Sequence, residues 1–224
     1  MGVKYRTILE YGEDEMIINK SRFIGYAKPV STEEEALSFI EDVREMHRKA
    51  THNCYAYKVE EDGVLIQRYS DDGEPGGTAG LPMISLIEKE ELTNLVVVVT
   101  RYFGGIKLGA GGLVRAYTDG AKIGIEAGKI VNIYEYMDLE IILDYENLGK
   151  VENYLTNTPY KAYNTIYEDK VKFYINIRIN DKENFFKDLN DLTSGNIEIN
   201  EFVNIDLPTD SQGRIIRRWE DECK

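Results

Sequence analysis

The stretch VKFYINIRI at residues 171–179 determines the architecture of the C-terminal part of the chain. Its apolar side chains stand at every second position with Lys172, Asn176 and Arg178 between them, which is the period of a half-buried β-strand. On either side, the apolar spacing predicts a strand at 139–143, a helix at 146–156, a strand at 160–167, a helix that begins at Asp181 and ends at Ser194-Gly195, and a strand at 197–205. The resulting βαββαβ order predicts a ferredoxin-like domain.

The N-terminal part has a mixed α and β pattern that is less regular. Ser31, with Glu34 three residues later, forms a capping box that predicts a helix ending near Lys49. The remaining pattern predicts paired strands within 15–30, a hairpin of 53–59 with 63–69, a strand at 94–100 and a helix at 111–127. The 94–100 run is continuously apolar, which is typical of a strand covered on both faces.

Composition changes near residue 136 and indicates a domain boundary there. Residues 1–136 hold 16 of the 19 glycines and four asparagines, whereas the remaining residues hold three glycines and eleven asparagines. We therefore predict an α+β chain with an N-terminal domain at 1–136, a ferredoxin-like domain at 137–206 and a tail at 207–224.

Charge and composition exclude several classes of protein. The longest apolar run, 95–99, is too short to cross a membrane, and the N-terminus has no signal-peptide order, so we expect a cytoplasmic protein. Cys54 and Cys223 are expected to be free thiols, and with only two histidines there is no His/Cys zinc site. The formal net charge of −13 disfavours long-range attraction to nucleic acid, although a local basic stripe can override it.

Two glycine-rich segments, 70–80 and 101–115, enclose the apolar strand and are the main candidate site. Glycines ahead of a helix let backbone N–H groups converge on an anion, and the second segment carries three cations. We predict anion or RNA binding by Arg101, Lys107, Arg115, Gly104, Gly105, Gly109, Gly111 and Gly112, with a motif loop of Gly73, Pro75, Gly76, Gly77 and Thr78. Neither a P-loop nor a dinucleotide fingerprint is complete, and tight turns required by packing remain an alternative.

The adjacent glycines Gly104 and Gly105 stand where the chain must leave the sheet and turn toward a helix. Two glycines at such a point indicate a positive φ or a close approach of two backbone segments.

The carboxylates Asp71, Asp72 and Glu74 lie close together in the first glycine segment. They could hold Mg²⁺ or act as acid and base, or they could belong to a solvated turn. A third hypothesis pairs the acidic loop with Arg101 or Arg115, so that an ion pair joins the two segments.

His52 and Cys54 offer the one place where a base and a thiol nucleophile are close in sequence. Two residues apart on a strand, they face the same side, but a buried structural cysteine is the alternative. On the tail, Arg214, Arg217, Arg218 and Trp219 form a basic, aromatic tip that could stack on a base or could be poorly ordered.

The motifs of residues 17–128 resemble the signature of the IMPACT/YigZ family. They are KSRFIG at 20–25, ATHNCYA at 50–56, SDDGEP at 70–75, GLPM at 80–83 and TRYFGGIKLG at 100–109. The resemblance implies a first domain like the left-handed βαβ module shared by a small-subunit ribosomal protein and elongation factor G, and a second domain like another module of that factor. The βαββαβ region is similar to the additional domain of the bacterial branch.

The resemblance also implies a link to translation. Eukaryotic members act in translational control, and bacterial members are suspected of binding nucleic acid or the ribosome, with no established catalytic residues. We therefore expect a non-catalytic binding protein that contacts RNA, the ribosome or a translation-associated protein through the glycine-rich face, without a cofactor. The alternative is an enzyme that uses either the glycine loops with the three carboxylates or Cys54 with His52.

Overall fold

The computed structural model describes residues 2–210 and 213–216. The chain divides into two compact units, Tyr5–Asn132 and a second unit formed by residues 2–4 together with the described residues from Ile133 onward. The division therefore lies four residues before the boundary that composition suggests. The α+β, two-domain fold is confirmed.

The N-terminal unit contains the strands β1 (Tyr5–Ile8), β2 (Gly12–Ile18), β3 (Ser21–Pro29), β4 (His52–Glu61), β5 (Val64–Ser70) and β6 (Leu95–Tyr102) and the helices α1 (Glu33–Met46), α2 (Gly80–Lys89) and α3 (Gly109–Ala127). The strands other than β1 form a five-stranded antiparallel sheet with the order β2-β3-β6-β4-β5. The strand β1 pairs with β7 (Ile130–Leu143), whose first three residues belong to this unit.

The central strand β6 separates two apolar cores, as its continuous apolar sequence predicts. Leu95, Val97 and Val99 belong to the core on the side of α2 and α3, whereas Val96 and Val98 belong to the core on the side of α1. The strand is therefore packed on both faces, and this packing fixes the position of Arg101 near its C-terminal end.

Small residues let α3 lie directly against the sheet. A Cβ atom on Gly25 of β3 would fall 1.9 Å from the carbonyl oxygen of Gly120, and one on Gly124 would fall 2.8 Å from the carbonyl carbon of Gly25. Glycine costs about 1 kcal/mol relative to alanine in a helix, and this close packing is what outweighs that cost.

The C-terminal unit has the predicted βαββαβ order. After β7 come α4 (Tyr145–Asn157), β8 (Ala162–Tyr167), β9 (Val171–Arg178), a short 3₁₀ turn (Ile179–Asp181), α5 (Lys182–Thr193) and β10 (Glu198–Thr209). The strand order β10-β7-β9-β8 is that of a ferredoxin-like sheet. Both helices bury their apolar sides against the inward residues of β7 and β9 in one core.

Several details differ from the sequence-based expectation, and the strand β1 was not predicted at all. Thr32, not Ser31, caps α1, because its hydroxyl accepts from the Glu35 amide at 3.1 Å. Two hydroxyl residues followed by three glutamates allow either register, and this one buries Ala36, Phe39, Ile40 and Val43. The helix α2 was not predicted, and β7 begins nine residues before the predicted strand.

Part of the predicted tip lies outside the described residues, namely Arg217, Arg218 and Trp219, and so does Cys223. Arg214 is described and pairs with Asp210 at 2.8 Å. Among the helices of the described ranges, none has the length and apolar character needed to span a bilayer.

Candidate functional site

A pocket of about 400 Å³ in the N-terminal unit collects residues from both glycine-rich segments. It lies where the start of β4, the loop after β5, the end of β6 and the start of α3 meet. Its polar lining residues include His52, Glu74, Arg101 and Lys107, and its apolar ones include Phe103, Leu108 and Leu113. The predicted site residues are thus partly brought together and partly separated.

A buried ion pair between Arg101 and Glu74 lines the pocket. The guanidinium Nη1 lies 2.5 Å from Glu74 Oε1, and the two side chains are 6% and 4% exposed. The Tyr117 hydroxyl donates to the same carboxylate oxygen at 2.8 Å, and His52 Nε2 lies 3.8 Å from it. Of the three hypotheses for the acidic loop, the ion pair is the one observed for Glu74, with Arg101 as its partner.

Arg101 is therefore not a surface cation. Its guanidinium lies between two aromatic rings, 5.3 Å from the centroid of Phe23 and 5.4 Å from that of Phe103. Its Nε is buried and has no hydrogen-bond partner among the described residues. A buried donor without an acceptor is costly, so Arg101 is a group of this pocket whose hydrogen bonding is incomplete among the described residues.

Asp71 binds the backbone around the start of α2. Its carboxylate accepts hydrogen bonds from the amides of Gly77 at 2.8 Å, Ala79 at 2.9 Å and Gly80 at 2.8 Å. These bonds satisfy donors that the first turn of a helix leaves unpaired. The carboxylate therefore fixes the loop to the start of the helix.

Asp72 is also engaged, since its carboxylate accepts from the Asn53 amide at 2.6 Å. The three acidic side chains of this loop thus serve different partners. Within the described ranges, no group of three or more His, Cys, Asp or Glu residues is placed to hold a metal ion. The loop geometry accordingly gives no support to a Mg²⁺ site at Asp71, Asp72 and Glu74.

The motif loop between these carboxylates is a compact turn structure. Gly73 and Gly77 have φ values of +85° and +75°, which explains why glycine stands at both positions. The Thr78 hydroxyl donates to the Pro75 carbonyl at 2.7 Å. Gly76 is exposed. These contacts hold the loop so that Glu74 points at Arg101.

Cys54 is a core residue. Its thiol donates to the Asp71 carbonyl at 3.0 Å, and its side chain is fully buried. Burial raises the pKa of the Cys54 thiol far above its usual value, because the thiolate would lose its hydration. A thiol hydrolase needs an accessible thiolate, so this geometry opposes the Cys54–His52 hypothesis.

His52 presents one nitrogen to the pocket. Its Nδ1 lies 2.7 Å from the Asp72 carbonyl oxygen, which can only accept, so Nδ1 carries the proton. The other nitrogen then faces Glu74. His52 is therefore oriented by the acidic loop, not by Cys54.

The two adjacent glycines have the two properties that their position predicts. A Cβ on Gly104 would lie 2.0 Å from the carbonyl carbon of Lys20, so two backbone segments meet there. Gly105 has a φ of +85° with open space around it. Gly109, at the start of α3, has a φ of +69°. The loop shape thus depends on glycine at each point.

The start of α3 is open to a ligand. No side chain in the described part of the chain caps it, and its first turn holds no acidic residue. The first amides of a helix have no partner within it, and they carry about half a positive charge together. Gly109 and Ala110 line the pocket at this end, and Gly111 and Gly112 complete the turn without side chains that would cover the amides.

The three predicted cations occupy different places. Arg101 is buried in the pocket wall, and Lys107 is exposed at its edge. Arg115 is exposed on α3 outside the pocket lining, where its Nη1 lies 3.9 Å from the position of a Cβ on Gly111. Only Lys107 combines exposure with a place in the pocket lining.

Several pocket residues were not predicted from the sequence, among them Thr51, Phe103, Leu108, Ala110 and Leu113. Tyr117 was also missed. Its signal was present, because Leu113, Ala116 and Tyr117 recur on one face of the helix, but that pattern indicates burial and does not reveal a polar partner.

Two sequence families account for most of the chain. The Impact N-terminal domain matches residues 19–125, and a Domain of unknown function (DUF1949) matches residues 141–196. IMPACT family member YvyE of Bacillus subtilis is 42% identical over 197 residues, which cover 88% of this chain and 90% of that protein. The chain belongs to the IMPACT family. The resemblance drawn from the motifs is confirmed.

Other members of the IMPACT family are similar over different shares of their length. The Protein IMPACT homolog of Saccharomyces cerevisiae is 36% identical over 93 residues, which cover 40% of this chain and 35% of that protein. A crystal structure of a hypothetical protein is 29% identical and matches with a TM-score of 0.56, covering 89% of this chain and 97% of that chain. The fold of that chain is thus similar to this one over most of both chains.

Proposed function

We propose that this IMPACT-family chain is a non-catalytic binding protein linked to translation regulation, which contacts RNA phosphate at the pocket of the N-terminal unit. The observation that carries the proposal is the uncapped start of α3 beside exposed Lys107, above the buried Arg101. The link to translation comes from the family, whose eukaryotic members act in translational control. The ribosome or a translation-associated protein is the alternative partner.

Elementary electrostatics supports phosphate as the ligand group. Helix starts bind phosphate because their free amides and dipole both favour negative charge. Lys107 adds a full positive charge at the same end, and no acidic residue in the first turn of α3 opposes it. This local patch can attract RNA even though the whole chain carries a formal net charge of −13.

The neighbouring side chains support binding without catalysis. Cys54 is buried and protonated, while Asp71 and Asp72 accept hydrogen bonds from backbone amides. The site thus offers donors that hold an anion, while its thiol and the Asp71 and Asp72 carboxylates are engaged in structural contacts. Binding is the activity that this arrangement favours.

The test is RNA affinity as a function of salt. Fluorescence anisotropy with a labelled single-stranded RNA should give a logarithmic salt slope that falls by about 1 for each phosphate contact removed. The Lys107→Ala, Arg115→Ala double variant should weaken binding and lower the slope. The matched control, Arg68→Ala with Lys89→Ala, removes the same charge from exposed positions on β5 and α2 and should retain nearly the parental slope.

Two results would refute RNA binding at this face. One is a parent that binds no RNA at low salt, and the other is a control that loses as much affinity as the test variant. Either result would leave a protein partner as the remaining form of the translation link.

A further inference from the structure

We propose that the pocket beside α3 takes the terminal phosphomonoester of a nucleotide, at the end of an RNA strand, and not the phosphodiesters within it. This inference rests on the proposed function and narrows it. Four features of the pocket carry it: its size, its charge, its unpaired donor and its exposed aromatic ring.

The size of the pocket suits one nucleotide. Its volume is about 400 Å³, near the lower end of the range of about 300–1,000 Å³ typical of small-molecule sites. The buried side chains of Arg101 and Glu74 close one wall, with the Tyr117 hydroxyl bound to Glu74. A pocket closed on one side accommodates the end of an RNA strand more readily than it accommodates an RNA strand that passes through it.

The charge of the pocket suits a phosphomonoester. The charges of Arg101 and Glu74 offset each other, which leaves Lys107 and the helix start with about +1.5 together. A phosphomonoester carries about −1.5 to −2 at neutral pH, whereas a phosphodiester carries −1. A strand bound along its length would need a track of cations, and Lys107 is the exposed cation that lines this pocket.

Arg101 supplies an observation independent of the helix. Its side chain is only 6% exposed, it lines the pocket, and its Nε lacks a partner within the described ranges. Glu74 uses Nη1. The guanidinium in the wall of the pocket therefore keeps hydrogen-bonding capacity beyond its ion pair with Glu74.

Phe103 provides a platform for the base. Its side chain is 46% exposed, and its ring lies beside the guanidinium of Arg101 at the pocket. Stacking of a base on an aromatic side chain is tolerant of sequence. The pocket thus places a stacking surface next to a phosphate site.

The experiment compares two RNA oligomers of one sequence, labelled at the 3′ end, with a 5′-phosphate or a 5′-hydroxyl. The parent should bind the phosphorylated oligomer about tenfold or more tightly, since a charged hydrogen-bond network contributes at least that factor. AMP should displace the phosphorylated oligomer better than adenosine or inorganic phosphate does. Ribose 5-phosphate, which has no base, should compete less well than AMP. In Phe103→Ala, AMP and ribose 5-phosphate should compete equally.

A carboxylate at the helix start should block the site. Ala110→Asp adds negative charge in the first turn of α3, where it favours the helix and opposes phosphate, so the variant should lose the 5′-phosphate preference while remaining folded. The matched control Ser85→Asp adds the same charge on the exposed side of α2, outside the pocket, and should keep the preference. Thermal unfolding of each variant with and without AMP shows whether lost binding reflects lost folding.

The outcomes separate this inference from the proposed function. Equal binding of both oligomers would overturn the terminal site and leave RNA binding intact. AMP binding without RNA binding would overturn the RNA function and keep the phosphomonoester pocket, with a free nucleotide as its source. If the parent binds neither RNA nor AMP, both proposals fail.

Discussion

The buried ion pair between Arg101 and Glu74 allows a quantitative prediction about stability. Removing one partner leaves the other charge buried, which typically costs about 3–5 kcal/mol. Arg101→Met strands a carboxylate that keeps only the Tyr117 hydroxyl as a close donor, and Glu74→Gln strands a guanidinium that is 6% exposed. We expect each single variant to lose stability in this range, out of a total of about 5–15 kcal/mol for a typical domain.

The double variant Arg101→Met, Glu74→Gln removes both charges and should recover much of that loss. A coupling energy of about 2–3 kcal/mol is expected, because the second substitution relieves the unpaired charge left by the first. Arg68→Met, on the exposed side of β5, is the control and should change stability by less than about 0.5 kcal/mol.

The assay must report on the N-terminal unit, because a chain with two compact units need not unfold in one step. Hydrogen exchange followed by mass spectrometry, read on peptides from β6 and α3, gives the free energy of opening of that unit. Additive losses in the double variant would refute the coupling. Single losses below about 1 kcal/mol would show that the pair behaves as a surface ion pair.

Three further predictions concern the loops and the thiol. Gly104→Ala should destabilise the chain more than Gly105→Ala, because a Cβ at position 104 would collide with the backbone of Lys20. At Gly105 the φ of +85° is the sole obstacle to a side chain, and it costs about 1–2 kcal/mol. Equal losses of unfolding free energy in the two variants would contradict this. Asp71→Ala should cost about 0.5–2 kcal/mol or more and speed hydrogen exchange in the first turn of α2, and unchanged exchange there would show that another group caps it. Iodoacetamide should modify Cys54 only after unfolding, because the thiol is buried and its pKa is raised. Peptide mapping separates Cys54 from Cys223, and rapid labelling of Cys54 in the native chain would reopen the thiol hypothesis.

The sequence predicted the strands best where burial itself is periodic. The alternation of 171–179 and the continuous run of 94–100 directly report which faces are covered, and both strands lie where predicted. The ferredoxin-like order followed from such elements. The start of β7 was missed although it carries the same signal, since Val131 and Ile133 are buried and alternate with more exposed neighbours.

The start of helix α2 could not be located from the local sequence because it depends on a distant residue. The residue before Gly80, Ala79, offers no capping side chain. The cap comes instead from Asp71, nine residues before Gly80. A local pattern cannot reveal a hydrogen bond that forms only once the loop has folded.

The sequence indicated several residues of the candidate site but not how they are buried or which partners they contact. Arg101, Lys107 and Arg115 look equivalent in sequence, yet one is buried, one is exposed in the pocket lining and one lies outside that lining. Charge along a sequence carries no information about partners. The pairing of Arg101 with Glu74 was one of three hypotheses for the acidic loop, and packing around β6 selected it.

An arginine suits the end of β6 better than a lysine would. A lysine offers three donors on one compact ammonium, whereas a guanidinium has five N–H donors spread over a fixed planar fork. Nη1 binds Glu74, Nε has no partner among the described residues, and the rings of Phe23 and Phe103 lie near the guanidinium. The same side chain can therefore join the two glycine segments through Glu74 and keep further N–H donors in the wall of the proposed binding pocket, so the structural role and the proposed binding role do not compete.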